Sequence, residues 1–360
     1  RILQGAAAAM MVPQVLATIQ ATTTGARRTR AVGAYAATAG IAMVVGQLVG
    51  GALVSADIAG TGWRAIFFVT LPLGVAGLVL ARLVLPETRS DEAARVDVAG
   101  TLLLAATLLA VLVPLTEGRA LAWPAWTVAL LAAAPVLAAA FVLAEVRGER
   151  DGRYPLVPPS LLRAPSMRIG LALAVPFFMG FGGFMFVFPV IMQEGEHFGA
   201  FHAGLVLAPY ALSFFAVSLV VGRLLPRHGS RVIVAGLLVE AAGIVGVAGL
   251  MWAYWPEAGL LALLAPCVVA GAGQAAVMAP LFRVVLTDVP ANRSGTGSGV
   301  LNTTMQTSLA LGVAGLGSVF FAATPALGMR GAFVVALACE LGMLLLGTVL
   351  ALRLPRRLAQ

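Results

Sequence analysis

The chain has 360 residues, of which 60% are hydrophobic and only 11% charged, with a mean hydropathy of +0.98. An ordinary soluble domain carries about 25% charge, so that class is excluded. The formal net charge of +8 rests on 23 basic residues, every one an arginine, but short loops divide them and no single basic face can form for nucleic acid.

Apolar stretches fall at about 1–21, 33–55, 65–85, 98–116, 125–146, 170–192, 203–222, 232–252, 258–281, 297–321 and 331–353. Each approaches the roughly 20 helical residues that cross about 30 Å of hydrocarbon. Period-2 alternation is absent and runs such as 102–112 are too long for barrel strands. Helices, which satisfy their own backbone groups in lipid, are therefore predicted throughout. The fold class expected is all-α, a polytopic membrane helical bundle.

Taken in chain order, the arginines gather in alternate gaps. The clusters are Arg27, Arg28 and Arg30; Arg82, Arg89 and Arg95; Arg147, Arg150, Arg153, Arg163 and Arg168; Arg223, Arg227 and Arg231; Arg283 and Arg293; and Arg353, Arg356 and Arg357. The remaining four, Arg1, Arg64, Arg119 and Arg330, lie at or near the opposite ends. Arg-rich loops stay cytoplasmic, which predicts an inner-membrane protein with its C-terminus in the cytoplasm and its first stretch running inward.

The stretch from Pro86 to Ser166 stands apart. It holds the mixed-charge loop that begins at Pro86, a helical hairpin, and a loop with Pro155, Pro158, Pro159 and Pro165 that reads as a polar connector. Domains are accordingly expected at 1–86, 87–168 and 169–360. A weak repeat relates Gly5–Pro13 to Ala272–Pro280, and two related halves with Gly/Pro-interrupted helices point to a transporter.

Five motifs in order carry a closer resemblance. They are Arg1-Ile-Leu-Gln4-Gly5; Gly46-Gln47-Leu-Val-Gly50-Gly51; Gly62-Trp63-Arg64-Ala-Ile-Phe67-Phe68 followed by Leu71-Pro72-Leu-Gly74; Asp97-Val-Ala-Gly100; and Gly299-Val-Leu-Asn302-Thr-Thr-Met-Gln306. Together they resemble the fourteen-helix drug:proton antiporters of the major facilitator superfamily. The resemblance implies helices four to fourteen of that pattern, so the sequence reads as an N-terminally truncated piece. It also implies proton-coupled export of hydrophobic or cationic small molecules by alternating access, with no cofactor. Gln47 stands where the family's antiporter motif has proline, and Pro226 where its C-half motif has aspartate.

Several residues are candidates for work within the spans. Glu240 and Glu340 lie mid-stretch, where an ionised carboxylate costs a few kcal/mol and marks a cavity, a partner or a proton site. With Arg1, whose role is implied by the family motif, they are the proton-coupling candidates. Gly46, Gln47, Gly50 and Gly51 are candidates for helix packing. Gln4, Asn302, Gln306 and Phe181 are candidates for the substrate cavity, although interhelical hydrogen bonding explains the polar ones equally well. The phenylalanines between 177 and 188 are expected to face lipid more often than a pocket.

Cys267 and Cys339 form no ligand pattern, the histidines have no metal-ligand spacing, and no P-loop or enzyme motif occurs. The partners expected are protons, a small molecule and the lipid bilayer, with the protein a monomer. Two rivals stay open: an importer or facilitator on the same fold, and a transport-dead membrane sensor.

Overall fold

The computed structural model describes residues 2–85, 97–118, 121–153, 155–256, 260–289 and 294–354. Among them run ten long helices: α1 (Ile2–Thr22), α2 (Gly25–Ala56), α3 (Ala65–Val84), α4 (Val98–Glu117), α5 (Ala125–Arg150), α6 (Pro165–Val190), α7 (Ala200–His228), α8 (Arg231–Tyr254), α9 (Leu260–Leu286) and α10 (Ser294–Ala351). Eight helical stretches are long and apolar enough to cross a bilayer, and no strand is present among the described residues. The loop beginning at Pro86 lies outside the described residues, as do Arg89, Arg95, Arg119, Arg293, Arg356 and Arg357.

Every expected apolar stretch falls on a helix, but two boundaries differ from the sequence reading. α2 begins at Gly25, so the arginine cluster at 27–30 belongs to its first turns and not to a loop. The gap expected at 322–330 is also helical, and α10 joins the last two stretches at a single residue, Gly328, with φ 68° and ψ 172°. That backbone is open to glycine and strained for any residue with a Cβ. The contacts with α6 show what the kink achieves. Gly182 meets Leu309 and Phe186 meets Phe321 on the first limb, so residue numbers rise together. On the second limb Leu173 meets Gly347, Gly180 meets Glu340 and Phe188 meets Phe333, so they run oppositely. The chain therefore reverses at Gly328.

The core lies almost wholly in α6 to α10 and the loop before α6. α6 is its centre. Phe177, Phe178, Phe184 and Phe188 are fully buried, which corrects the expectation that this aromatic run faces lipid. Phe184 stacks on Tyr210 of α7 at 5.7 Å, while Phe178 meets Phe282 of α9 and Phe188 meets Phe333 of α10 edge-on or tilted. Ring pairs at these separations add to the burial itself. α8 and α9 run antiparallel in close contact, because Gly236 faces Ala276, Gly243 faces Ala270 and Gly246 faces Pro266. Small residues at a membrane-helix seam allow such backbone approach.

α1 packs mainly on α2, and α2 on α7. α3, α4 and α5 expose large side chains such as Leu71, Leu78, Leu102 and Val136, as surfaces meeting lipid or further helices do. α4 and α5 form the expected hairpin, fastened to α10 where the Ser318 hydroxyl donates to the Leu115 carbonyl at 2.8 Å.

The kink supplies a direct check. Gly328→Ala should lower stability by about 1–3 kcal/mol, read as an earlier thermal unfolding midpoint in detergent. Gly315→Ala, where an added methyl meets nothing within 4 Å, should be neutral or slightly stabilising.

Candidate functional site

Two carboxyl groups lie inside the five-helix core. Glu240 on α8 is 1% exposed and Glu340 on the second limb of α10 is 2% exposed. Glycine brings α9 up to the first of them, since a Cβ at Gly273 would collide with the Glu240 backbone. One position on, Gln274 is completely buried, and its amide nitrogen donates to the two Glu240 oxygens at 2.6 and 3.2 Å. This contact sets the orientation of the amide, as a network does where hydrogens are not seen.

Glu340 has a different environment. Its Oε2 is buried without a hydrogen-bond donor, and its side chain packs on Gly180 of α6, whose Cβ position lies 3.3 Å from the Glu340 Cγ. Glu240 and Glu340 are close enough to interact electrostatically, and Tyr210 of α7, 1% exposed, lies close enough to feel both. Burial this complete disfavours the ionised form of a carboxyl group unless donors or cations compensate. Glu240 has one such donor, the Gln274 amide. Glu340 has no such donor at its Oε2.

On its other side α6 borders an apolar groove of about 470 Å³, lined by Phe181, Met185, Phe186, Gln306, Leu309 and Val313 among others. Gln306 is exposed within it and Phe181 half-buried. Asn302 sits one turn before Gln306 and is half-buried. Gly182 and Gly312 let α6 and α10 touch backbone to backbone along its floor. Apolar walls with a few polar groups are what small-molecule pockets present.

The third locus is the seam between α2 and α7. Gly51 is buried, and a Cβ there would lie 2.7 Å from the Ala200 carbonyl oxygen. The Phe201 N–H donates to Ser55 one turn further along α2. Gly46 and Gly50 line an adjoining cleft of about 350 Å³ with Trp63, Ile66 and Gln193. Of the motif glycines, Gly51 makes the close approach, whereas Gly46 has open space beside it.

The sequence candidates thus separate into three places. Glu240 and Glu340 both lie buried in the core. Phe181 and Gln306 meet at the groove with Asn302 beside them, and Gly46, Gly50 and Gly51 border the seam. Gln4 is exposed on α1. Arg1 lies outside the described residues, as does the Gln47 side chain. Gln274 is, with Gln47, Asn302 and Gln306, one of the uncharged polar residues that the sequence places within spans. Interhelical hydrogen bonding explains them at least as well as substrate contact, and Gln274 makes such a bond, to Glu240. Tyr210 carries no signal in the sequence beyond being a phenol inside a span.

A profile of the Major Facilitator Superfamily matches residues 1–313. Among curated relatives, the "Probable actinorhodin transporter" of Streptomyces coelicolor is 36% identical over 89% of this chain and 56% of its own length. The "Multidrug resistance protein Stp" of Mycobacterium tuberculosis is 30% identical over 89% of this chain and 58% of its own length. The "Puromycin resistance protein pur8" of Streptomyces alboniger is 31% identical over 98% of this chain and 71% of its own length. The chain spans under three-fifths of the first two relatives.

Replacing Gln274 by leucine removes the one donor that Glu240 is given. The expected loss is about 1–3 kcal/mol of stability, the cost of a buried polar group left unsatisfied. Asn302→Ala, at a half-buried position, should change stability by less than about 0.5 kcal/mol. Thermal unfolding of the two variants in the same detergent makes the comparison.

Proposed function

Because the chain belongs to the Major Facilitator Superfamily, we propose that the protein exports hydrophobic or cationic small molecules across the membrane in exchange for protons. One observation carries this reading: two fully buried carboxyl groups lie across a single helix, α6, from an apolar groove. The relatives with names describing antibiotic transport or drug resistance support export over import.

In this mechanism Glu240 and Glu340 are the proton carriers. Gln274 holds Glu240 in place, and the unpartnered oxygen of Glu340 accepts or releases the proton. Ionisation leaves a negative charge in the core that the surrounding helices must relieve by shifting, and protonation removes that demand. The energy difference between the two protonation states is what biases one facing state over the other. Substrate occupies the groove, where Phe181 offers an apolar face and Gln306 and Asn302 offer polar contacts. The tight α2–α7 seam at Gly51 seals one state.

The proposal divides the chain at 1–86, 87–168 and 169–360, with the first and last parts rocking against each other about a site between them. Arg1, the first residue, is a candidate to tune the proton site. The arginine distribution supports an inner-membrane location with the C-terminus in the cytoplasm, and the protein acts as a monomer.

Inverted vesicles containing the intact protein test the reading, with radiolabelled tetraphenylphosphonium as a hydrophobic cation. Uptake should collapse when the pH gradient is dissipated. Glu240→Gln and Glu340→Gln should each reduce gradient-driven uptake at least tenfold, about 1.4 kcal/mol of lost coupling. If both variants keep full coupled uptake, the carboxylate assignment is wrong. Flux indifferent to the gradient would instead identify a facilitator, and binding without flux a sensor.

A further inference from the structure

The Pro-rich loop that reads as a polar connector is bound down by acidic side chains. Asp97 caps α4, its Oδ1 accepting from the Gly100 N–H at 2.9 Å, while its Oδ2 accepts from the Leu156 N–H at 3.4 Å. From α5, Glu145 Oε2 accepts from the Val157 N–H at 2.5 Å. One turn later Glu149 accepts from the Ser160 N–H at 3.0 Å and from the Ser160 hydroxyl. Held this way, the loop lays Val157, Leu161 and Leu162 on the core beside the start of α6.

Glu145 is only 2% exposed, and its second oxygen, Oε1, is buried without any N–H or O–H donor. That oxygen lies beside the Asp97 carboxyl, both bordering the same point next to Gly100. Gly100 makes the space, since a Cβ at this position would overlap both Asp97 Oδ2 and Glu145 Oε1. The spacing of Asp97-Val-Ala-Gly100 therefore has a physical basis: the aspartate caps the helix and the glycine admits the glutamate.

Two carboxyl groups sharing a site cannot both ionise readily, and one proton between them resolves the conflict. We propose that Asp97 and Glu145 form a proton-binding site whose single shared proton fastens the 155–160 segment to the α4–α5 hairpin. A metal cation is a poorer occupant, because backbone N–H groups of residues 100, 156 and 157 already point at three of the pair's four oxygens. Such donors repel a cation approaching the same oxygens.

The charged groups around the pair leave the proton as its ligand. Arg147 and Arg150 in the last turn of α5 are exposed, and so is Arg163 beyond the loop. Arg153 pairs with Asp151 at the surface, at 4.0 Å. Glu149 is engaged with Ser160. α10, which also packs on α4, meets it near Leu115, at the other end of the helix. When the shared proton leaves, two facing negative charges separate and release the Leu156 and Val157 amides.

Hydrogen exchange of the intact protein in lipid nanodiscs reads this directly. Protection of the Leu156 and Val157 amides, corrected for intrinsic exchange, should fall about tenfold or more between about pH 6 and about pH 9. In Glu145→Gln the side-chain amide donates to Asp97 and its carbonyl keeps the Val157 N–H, so protection should stay high at both pH values. Asp97→Asn supplies the same neutral donor from the other side and should behave alike. Wild-type protection that does not change with pH overturns the proposal. So does a fall of wild-type size in both variants.

Discussion

A carboxyl group inside an apolar helix bundle must be neutral or partnered, and the architecture of α6 to α10 is organised around two that are neither surface-exposed nor paired with a cation among the described residues. Glu240 is given one amide donor, and Glu340 keeps an oxygen with none. Desolvating an ionised carboxylate costs several kcal/mol even after relaxation, so their protonation state is tied to the packing around them. That packing is tight because glycine lies at the points of approach: Gly273 against Glu240, Gly180 against Glu340, and Gly271 against Tyr210.

α6 connects this buried chemistry to the groove. The same two turns present Gly180 to Glu340 and Phe181 and Met185 to the open apolar face. A close-packed interior responds to a change of charge by shifting whole elements, because it has little room for gradual deformation. In the proposed mechanism, gain or loss of a proton at Glu340 therefore alters how α6 sits, and with it the shape of the groove. The second acidic site, at the α4–α5 hairpin, acts on the same helix from its N-terminal end, through the loop that leads into Pro165. Both sites bear on one element.

Much of the fold is legible in the sequence because the bilayer allows so few alternatives. Apolar runs of about 20 residues and the alternation of arginine clusters locate the helices, and each expected stretch lies on one, the last two sharing α10. Glu240 and Glu340 stand out for the same reason, as charge is costly at that depth. Which face of a helix meets lipid is harder to read. α6 is apolar on all sides, and without a polar face its pattern cannot assign Phe177 or Phe184 to the core. Nor can spacing reveal that residues 240 and 340 are buried in one core, since that depends on how five helices pack. Glu145 was missed for another reason: near the end of a helix, beside Arg147 and Arg150, it resembles an ordinary solvated residue. Its burial follows from a loop folding back over it, which composition does not encode.

The most direct measurement is infrared difference spectroscopy of the protein in lipid, taken as the pH is raised from acid to alkaline. The account predicts a protonated-carboxyl C=O stretch that disappears as pH rises, with part of the signal missing in Glu340→Gln and a further part in Glu240→Gln. A spectrum without a titrating carboxyl band, or one unchanged by both substitutions, would contradict the claim that these buried groups exchange protons.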